Sequence, residues 1–160
     1  NNSAPVADGL LIYAKNFYVS RTPQQAGSIG LNYRSPKFWF LNVNVNYFDK
    51  IYLDFNPVRR TEQGIIDVTP GSAEWEKILY QERLPAAFTV DLFGGKSWRI
   101  NQKTLVLNVG IGNLLNNQTF ATGGYEQLRF NFEDQNPDRF PPKYFYAQGF
   151  NYFVNITYRY

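Results

Sequence analysis

GFNYFVNITYRY, residues 149–160, closes the chain and decides how the rest is read. Successive side chains of a β-strand point to opposite faces. Counted back from the end, Tyr160, Tyr158, Ile156, Val154, Tyr152 and Phe150 share one face, and Arg159, Thr157, Asn155, Phe153 and Asn151 share the other. The first set is wholly apolar, aromatic at its ends and aliphatic in the middle; the second is mostly polar. A strand of a soluble sandwich alternates in the same way, because one of its faces packs on a core. Tyrosines at both ends of the apolar face favour a strand that crosses hydrocarbon between two aromatic girdles. The roughly 9–11 residues needed for such a crossing are present.

The alternation recurs upstream. Residues 28–34 set Ile29, Leu31 and Tyr33 against Ser28, Gly30, Asn32 and Arg34. Residues 38–54 are the longest predicted strand, with Trp39, Leu41, Val43, Val45 and Tyr47 on one face and Asn42, Asn44 and Asn46 on the other. An asparagine ladder is poor strand chemistry; it suits a face that is wet or meets a second polar surface. Residues 86–100 set Phe88, Val90 and Leu92 against Thr89 and Asp91, and Gly94-Gly95 marks a bend or a close backbone approach. Residues 104–114 set Leu105, Leu107, Val109 and Ile111 against Asn108, Gly110 and Gly112, until Asn113 breaks the pattern. Residues 10–21, apolar on both parities, are a further strand candidate, which brings the expected number to six. Residues 1–8 are small and polar and read as a linker or a frayed end.

The connections are sorted by length. Ser35-Pro36 and residues 101–103 are short turns, whereas residues 56–85 and 116–148 are long. The first long connection is expected to hold a short helix N-capped by Ser72 and running through Trp75, Ile78 and Leu79. In the second, residues 125–132 read as an extension of the strands. Short turns on one side and long loops on the other are the arrangement of outer-membrane barrels. A sandwich has no reason to sort its loops in this way.

Composition narrows the classes. The chain of 160 residues is 18% aromatic and 18% charged, which for an ordinary globular domain is rich in the first and poor in the second. No stretch approaches the roughly 20 apolar residues of a membrane helix; a barrel wall escapes that criterion, since only alternate residues touch lipid. Without histidine or cysteine, zinc chemistry and a histidine-based triad within the chain are excluded. The net charge of +3 comes without a basic cluster, so no nucleic-acid surface is expected. No nucleophile has a base beside it, and no enzymatic activity, cofactor or metal is expected.

The stretches TPQQAGSIGLNYRSPKFWFLNVNVNYFDKIYLDFNPVRRT (22–61), LPAAFTVDLFGGKSW (84–98), LNVGIGNLLNN (107–117), GGYEQLRF (123–130) and FPPKYFYAQGFNYFVNITYRY (140–160) together cover most of the chain. As a set they resemble the C-terminal barrel segment of TonB-dependent outer-membrane receptors, in particular the Bacteroidetes group that carries a carboxypeptidase-regulatory-like domain. The resemblance implies an all-β fold: an antiparallel transmembrane β-barrel, of which residues 1–160 supply about six C-terminal strands out of 22, around a plugged lumen. It also implies a Gram-negative outer-membrane location with a periplasmic C-terminus, and import of a nutrient. The implied partners are lipid, the remaining strands and plug, TonB through the N-terminal part, and a surface lipoprotein or other subunits of an outer-membrane complex. An open six-stranded sheet would leave two unpaired edges in lipid, so the chain is expected to be the end of a longer polypeptide or to pair with another chain.

The resemblance assigns Tyr152, Val154, Ile156, Tyr158 and Tyr160 to a barrel-assembly signal, an edge strand suited to β-augmentation. Asn42, Asn44, Asn46, Asp91, Asn108, Asn155 and Arg159 would face the lumen and its plug. Trp75, Tyr125, Phe130, Phe132 and Tyr144 are loop aromatics that either stack on a sugar or peptide or pack on one another. Glu133, Asp134 and Asp138 lack the spacing of a calcium loop. Arg59-Arg60 is either a solvated pair or a partner for acidic loop residues or lipopolysaccharide phosphates. Two other readings stand beside the transporter: a receptor-like barrel serving as a structural subunit of a membrane complex, and a soluble glycan-binding sandwich.

Overall fold

The computed structural model describes residues 11–160; the linker reading of residues 1–8 and the start of the first strand candidate at Leu10 lie outside them. The described residues form mostly antiparallel β-structure, with one short α-helix, α1 (Ala73–Leu79), and three single-turn 3-10 helices. Five strands make one sheet: β1 (Gln25–Ser35), β2 (Trp39–Asp49), β3 (Ala87–Ile100), β4 (Lys103–Gly112) and β7 (Asn151–Arg159), in the order β1-β2-β3-β4-β7. β5 (Ala121–Tyr125) and β6 (Lys143–Tyr146) pair separately. The five-stranded sheet is open, with β1 and β7 at its edges. No described helix is long and apolar enough to cross a membrane.

Register makes the alternation of each strand a property of the sheet. Leu31 opposes Val43, Val43 opposes Leu92, Leu92 opposes Ile111 and Ile111 opposes Tyr152. Each strand thus contributes its apolar set to the same face. Both short connections, β1–β2 and β3–β4, lie at one end of the sheet. The β3–β4 turn is tight because Asn101 and Gln102 both adopt positive φ, 46° and 68°, the geometry whose twist matches the flanking strands.

Three expectations need correcting. Residues 11–21 are not a strand; they make only an isolated bridge, Ile12 to Thr61. Asn16 and Arg21 take positive φ, which interrupts extended geometry, and apolar residues on both parities reflect irregular packing rather than a two-faced strand. The sheet therefore has five strands, not six. The strand expected over 38–54 ends at Asp49, since Lys50 turns to φ 54°. Ile51 and Leu53 continue the alternation but leave the sheet and are buried elsewhere. In the second long connection only Ala121–Tyr125 and Lys143–Tyr146 are strand, and they pair with each other, so residues 125–132 do not extend the sheet. The helix is as expected: Ser72 caps it by accepting a hydrogen bond from the Trp75 N–H.

By contacts the chain forms two compact units. One comprises the described residues 11–24, with Lys50–Leu84 and Ala121–Phe145; it buries Ile51, Leu53, Ile65, Ile78 and Leu84. At about 1.5–3 kcal/mol per fully buried aliphatic side chain, these residues hold together segments distant in sequence. Its backbone is tied by bonds such as Leu53 N–H to Glu82 C=O and Leu84 N–H to Ile51 C=O. The other unit is the five-stranded sheet with residues 113–120 and 146–150; its only buried hydrophobic side chains are Ala87 and Phe120.

Candidate functional site

The apolar face of the sheet is its most unusual feature. Ile29 is 80% exposed, Leu31 70%, Val154 53% and Ile156 68%. The face runs across five strands, interrupted by a charge at Lys96 of β3. Soluble monomers rarely expose contiguous apolar patches beyond a few hundred Å². The face is also zoned: Tyr33, Trp39, Trp98 and Tyr158 lie toward the short-turn end, Tyr47, Phe88 and Tyr152 toward the other, and Leu, Val and Ile lie between. Lys96 and Lys103, at the short-turn end, extend their ammonium groups over Trp98 and Tyr158, 5.6 and 5.9 Å from the ring centroids. Such side chains lay an apolar stem on a greasy surface and keep the charge at its margin. Of the proposed assembly residues, Tyr152, Val154, Ile156 and Tyr158 lie on this face, and Tyr160 follows β7 fully exposed.

All seven residues expected on the polar face share that face. Asn42 accepts from Asn32 Nδ2 at 2.5 Å, Asn46 accepts from Ser28 Oγ at 2.9 Å, and Asn46 donates to Asp91 Oδ2 at 2.7 Å. Asp91 Oδ1 also accepts the Asn113 backbone N–H at 2.9 Å, and Asn155 accepts from Thr157 Oγ1 at 3.1 Å. The ladder thus spends part of its capacity on cross-strand bonds. Asn44, Asn108 and Arg159 make no side-chain hydrogen bond among the described residues.

Amid these polar groups runs an aromatic row, which strand-by-strand reading missed. Phe40 and Phe93 have ring centroids 5.4 Å apart, and Phe93 and Phe153 6.0 Å. Glycines make room for it: a Cβ at Gly95 would stand 2.7 Å from Phe40 Cε1, and one at Gly110 2.7 Å from Phe153 Cδ1. Gly95 is therefore a site of close approach and not a bend, since β3 continues through it. The signal was available in that Phe40 has the parity of the asparagines; register was needed to join three strands.

The loop aromatics do not converge on one site. Trp75 meets Tyr13 edge-on at 6.0 Å, Tyr125 meets Phe145 at 5.9 Å and Phe130 meets Phe132 at 5.4 Å; Tyr144 donates to Glu82 at 2.8 Å. No group of three acidic residues among those described is placed to hold a metal ion. Asp138 pairs with Lys77 and Asp134 with Arg139. The hydrogen bond from Arg139, with the Asn136 N–H second, holds the Asp134 carboxyl below its ordinary range.

Arg59-Arg60 is the core of a buried charge cluster. Arg60 is fully buried and grips Glu126 with both Nη atoms, at 2.5 and 2.9 Å. It also donates to the Asn56 and Tyr80 carbonyls and lies against the Phe17 and Phe55 rings. Arg59 reaches the same carboxylate through Nη2 at 2.7 Å. Burial, and then the neighbouring Arg60, lower the Arg59 pKa to about 10. Glu126 is 66 positions from Arg60, so no local pattern announces the pair.

No protein-family model, curated protein or solved structure matches this chain.

Proposed function

We propose that the five-stranded sheet is a wall segment of an outer-membrane β-barrel, and that the chain serves the C-terminal part of a TonB-dependent receptor importing a nutrient. The observation that carries the membrane reading is the exposed, aromatic-ended apolar face. Burial of apolar area is the main drive to fold in water, and much of this face stays exposed among the described residues; lipid supplies its burial. The strands are 9 to 14 residues long, enough to cross. The asparagine ladder and phenylalanine row would then face a lumen, where Asn44, Asn108 and Arg159 have hydrogen-bonding capacity for a plug. Lipid tolerates no unpaired strand edge, so the outer edges of β1 and β7 require further strands. The receptor assignment and nutrient import rest on the sequence resemblance.

Bromolipid quenching tests the lipid contact. In a Trp75→Phe background only Trp39 and Trp98 fluoresce, both on the apolar face. Reconstituted with brominated lipid, both are expected to be strongly quenched. A chain that stays monomeric in water without amphiphile, with unquenched tryptophans, would refute the wall. The import reading is tested by deleting the gene and measuring growth on candidate nutrients; unchanged growth on all of them would favour a structural subunit.

A further inference from the structure

We infer that the pocket beside the buried arginines binds a small organic carboxylate carrying an apolar or aromatic body. The inference rests on residues outside the sheet and is independent of the membrane reading.

The pocket has a volume of about 200 Å³ and includes Arg59, Lys77, Tyr80, Arg129, Phe130 and Phe140 in its lining. At about 30 Å³ per water, it holds roughly six or seven waters, or one small ring with its carboxylate. Glu82, Glu126 and Asp138 line it too, so three carboxylates face three cations, but each carboxylate already has a partner. Glu126 is taken by Arg60 and Arg59 together, Asp138 by Lys77, and Glu82 accepts the Tyr144 hydroxyl. Arg129 is left exposed, with no partner among the described residues. Because Arg60, outside the lining, also draws on Glu126, the cluster of Arg59, Arg60, Lys77 and Arg129 exceeds the three lining carboxylates by one.

Arg59 is short of acceptors. A guanidinium has five N–H donors. Arg59 places only Nη2, on Glu126 Oε1 and the Tyr80 carbonyl; its Nε is enclosed without a partner. A half-satisfied arginine in low dielectric is costly, and an incoming carboxylate offers both charge and acceptors. A bidentate fork to a planar carboxylate is the strongest pairing available to it. The rings of Phe130, Phe140 and Tyr80 supply an apolar wall for the rest of the ligand.

The test uses the full chain in detergent micelles, titrated with N-acetyl-L-phenylalanine and, separately, with its neutral amide. The acid is expected to bind at least roughly tenfold more tightly than the amide, the loss typical of a hydrogen bond to a charged group. Arg129→Gln, at an exposed position where folding is not at stake, is expected to weaken the acid several-fold and leave the amide unchanged; Arg59→Gln should weaken it further. A short peptide ending in free phenylalanine separates the sources: tighter binding than the acid assigns the site to peptide C-termini, equal or weaker binding to free acids. Equal affinity for acid and amide, binding of neither, or an acid affinity untouched by Arg129→Gln would overturn the inference.

Discussion

Arg60 and Arg59 are adjacent in sequence and opposite in consequence. Arg60 is saturated: it has a bidentate carboxylate, two close carbonyls and two aromatic faces. Removing one partner of such a pair strands a buried charge, which costs about 3–5 kcal/mol. Arg60→Met and Glu126→Gln are each expected to lower thermal or denaturant stability by that order. Arg59→Met should stay within about 1 kcal/mol of the parent, because Arg60 still satisfies Glu126 and a poorly bonded cation is gone. The pH dependence of Arg59 follows from its lowered pKa. Below about pH 10 both folded and unfolded chains carry the proton, and the folded state bears the full cost of the buried charge. As pH rises through the folded value, the unfolded chain binds more protons, so this group's contribution to stability rises. Comparing the parent with Arg59→Met between pH 8 and 11 isolates the effect; a stability difference between them that does not change over this range would contradict it. Pairing of Arg59-Arg60 with an acidic loop residue was one of the readings the sequence allowed, and Glu126 bears it out; which carboxylate, and its burial, was not legible, because the partner arrives from a separate segment.

Elements fared better where a local rule governs them. The Ser72 cap, the turn at 101–103 and the facing of β1, β2, β3, β4 and β7 could all be read from the chain, because period-two alternation and capping act over a few residues. Residues 11–21 could not: an apolar segment that meets several neighbours looks like a strand buried on both faces. The end of β2 was hidden because Ile51 and Leu53 keep the parity of Tyr47 while serving a different core. Two predictions belong at this scale. Gln102 sits at φ 68° in the β3–β4 turn, which costs a non-glycine residue roughly 1–2 kcal/mol. Gln102→Gly creates the Asn-Gly pair that such turns favour and is expected to stabilise the sheet by about 1 kcal/mol, seen as slower amide exchange in β3 and β4. Conversely, Gly110→Val drives a side chain into the Phe153 ring. Overpacking of this kind costs about 1–3 kcal/mol, and exchange should quicken in β7 more than in β1; equal quickening in the two edge strands would speak against the aromatic row as a local contact.

At the scale of the molecule, the two units differ in how much apolar surface they bury. The unit containing Leu53, Ile78 and Arg60 has a buried core of its own and needs nothing outside the chain to bury those groups. The sheet has cross-strand bonds but almost no buried apolar side chains, and apolar surface left in water contributes nothing to the drive to fold. The distinction predicts a split response to amphiphile. In detergent micelles, amides of both units should exchange slowly. On dilution below the critical micelle concentration, amides such as Val43, Val109 and Val154 should lose protection or the chain should aggregate through its open edges, while Leu53 and Leu84 in the soluble fraction keep theirs, held by Glu82 and Ile51 carbonyls. Site-resolved hydrogen exchange distinguishes the cases. Sheet amides that remain protected in a water-soluble monomer would mean that the apolar face is covered by something other than lipid, and the wall reading would have to be abandoned. Protection lost in both units at once would instead mean that the core around Arg60 depends on the sheet.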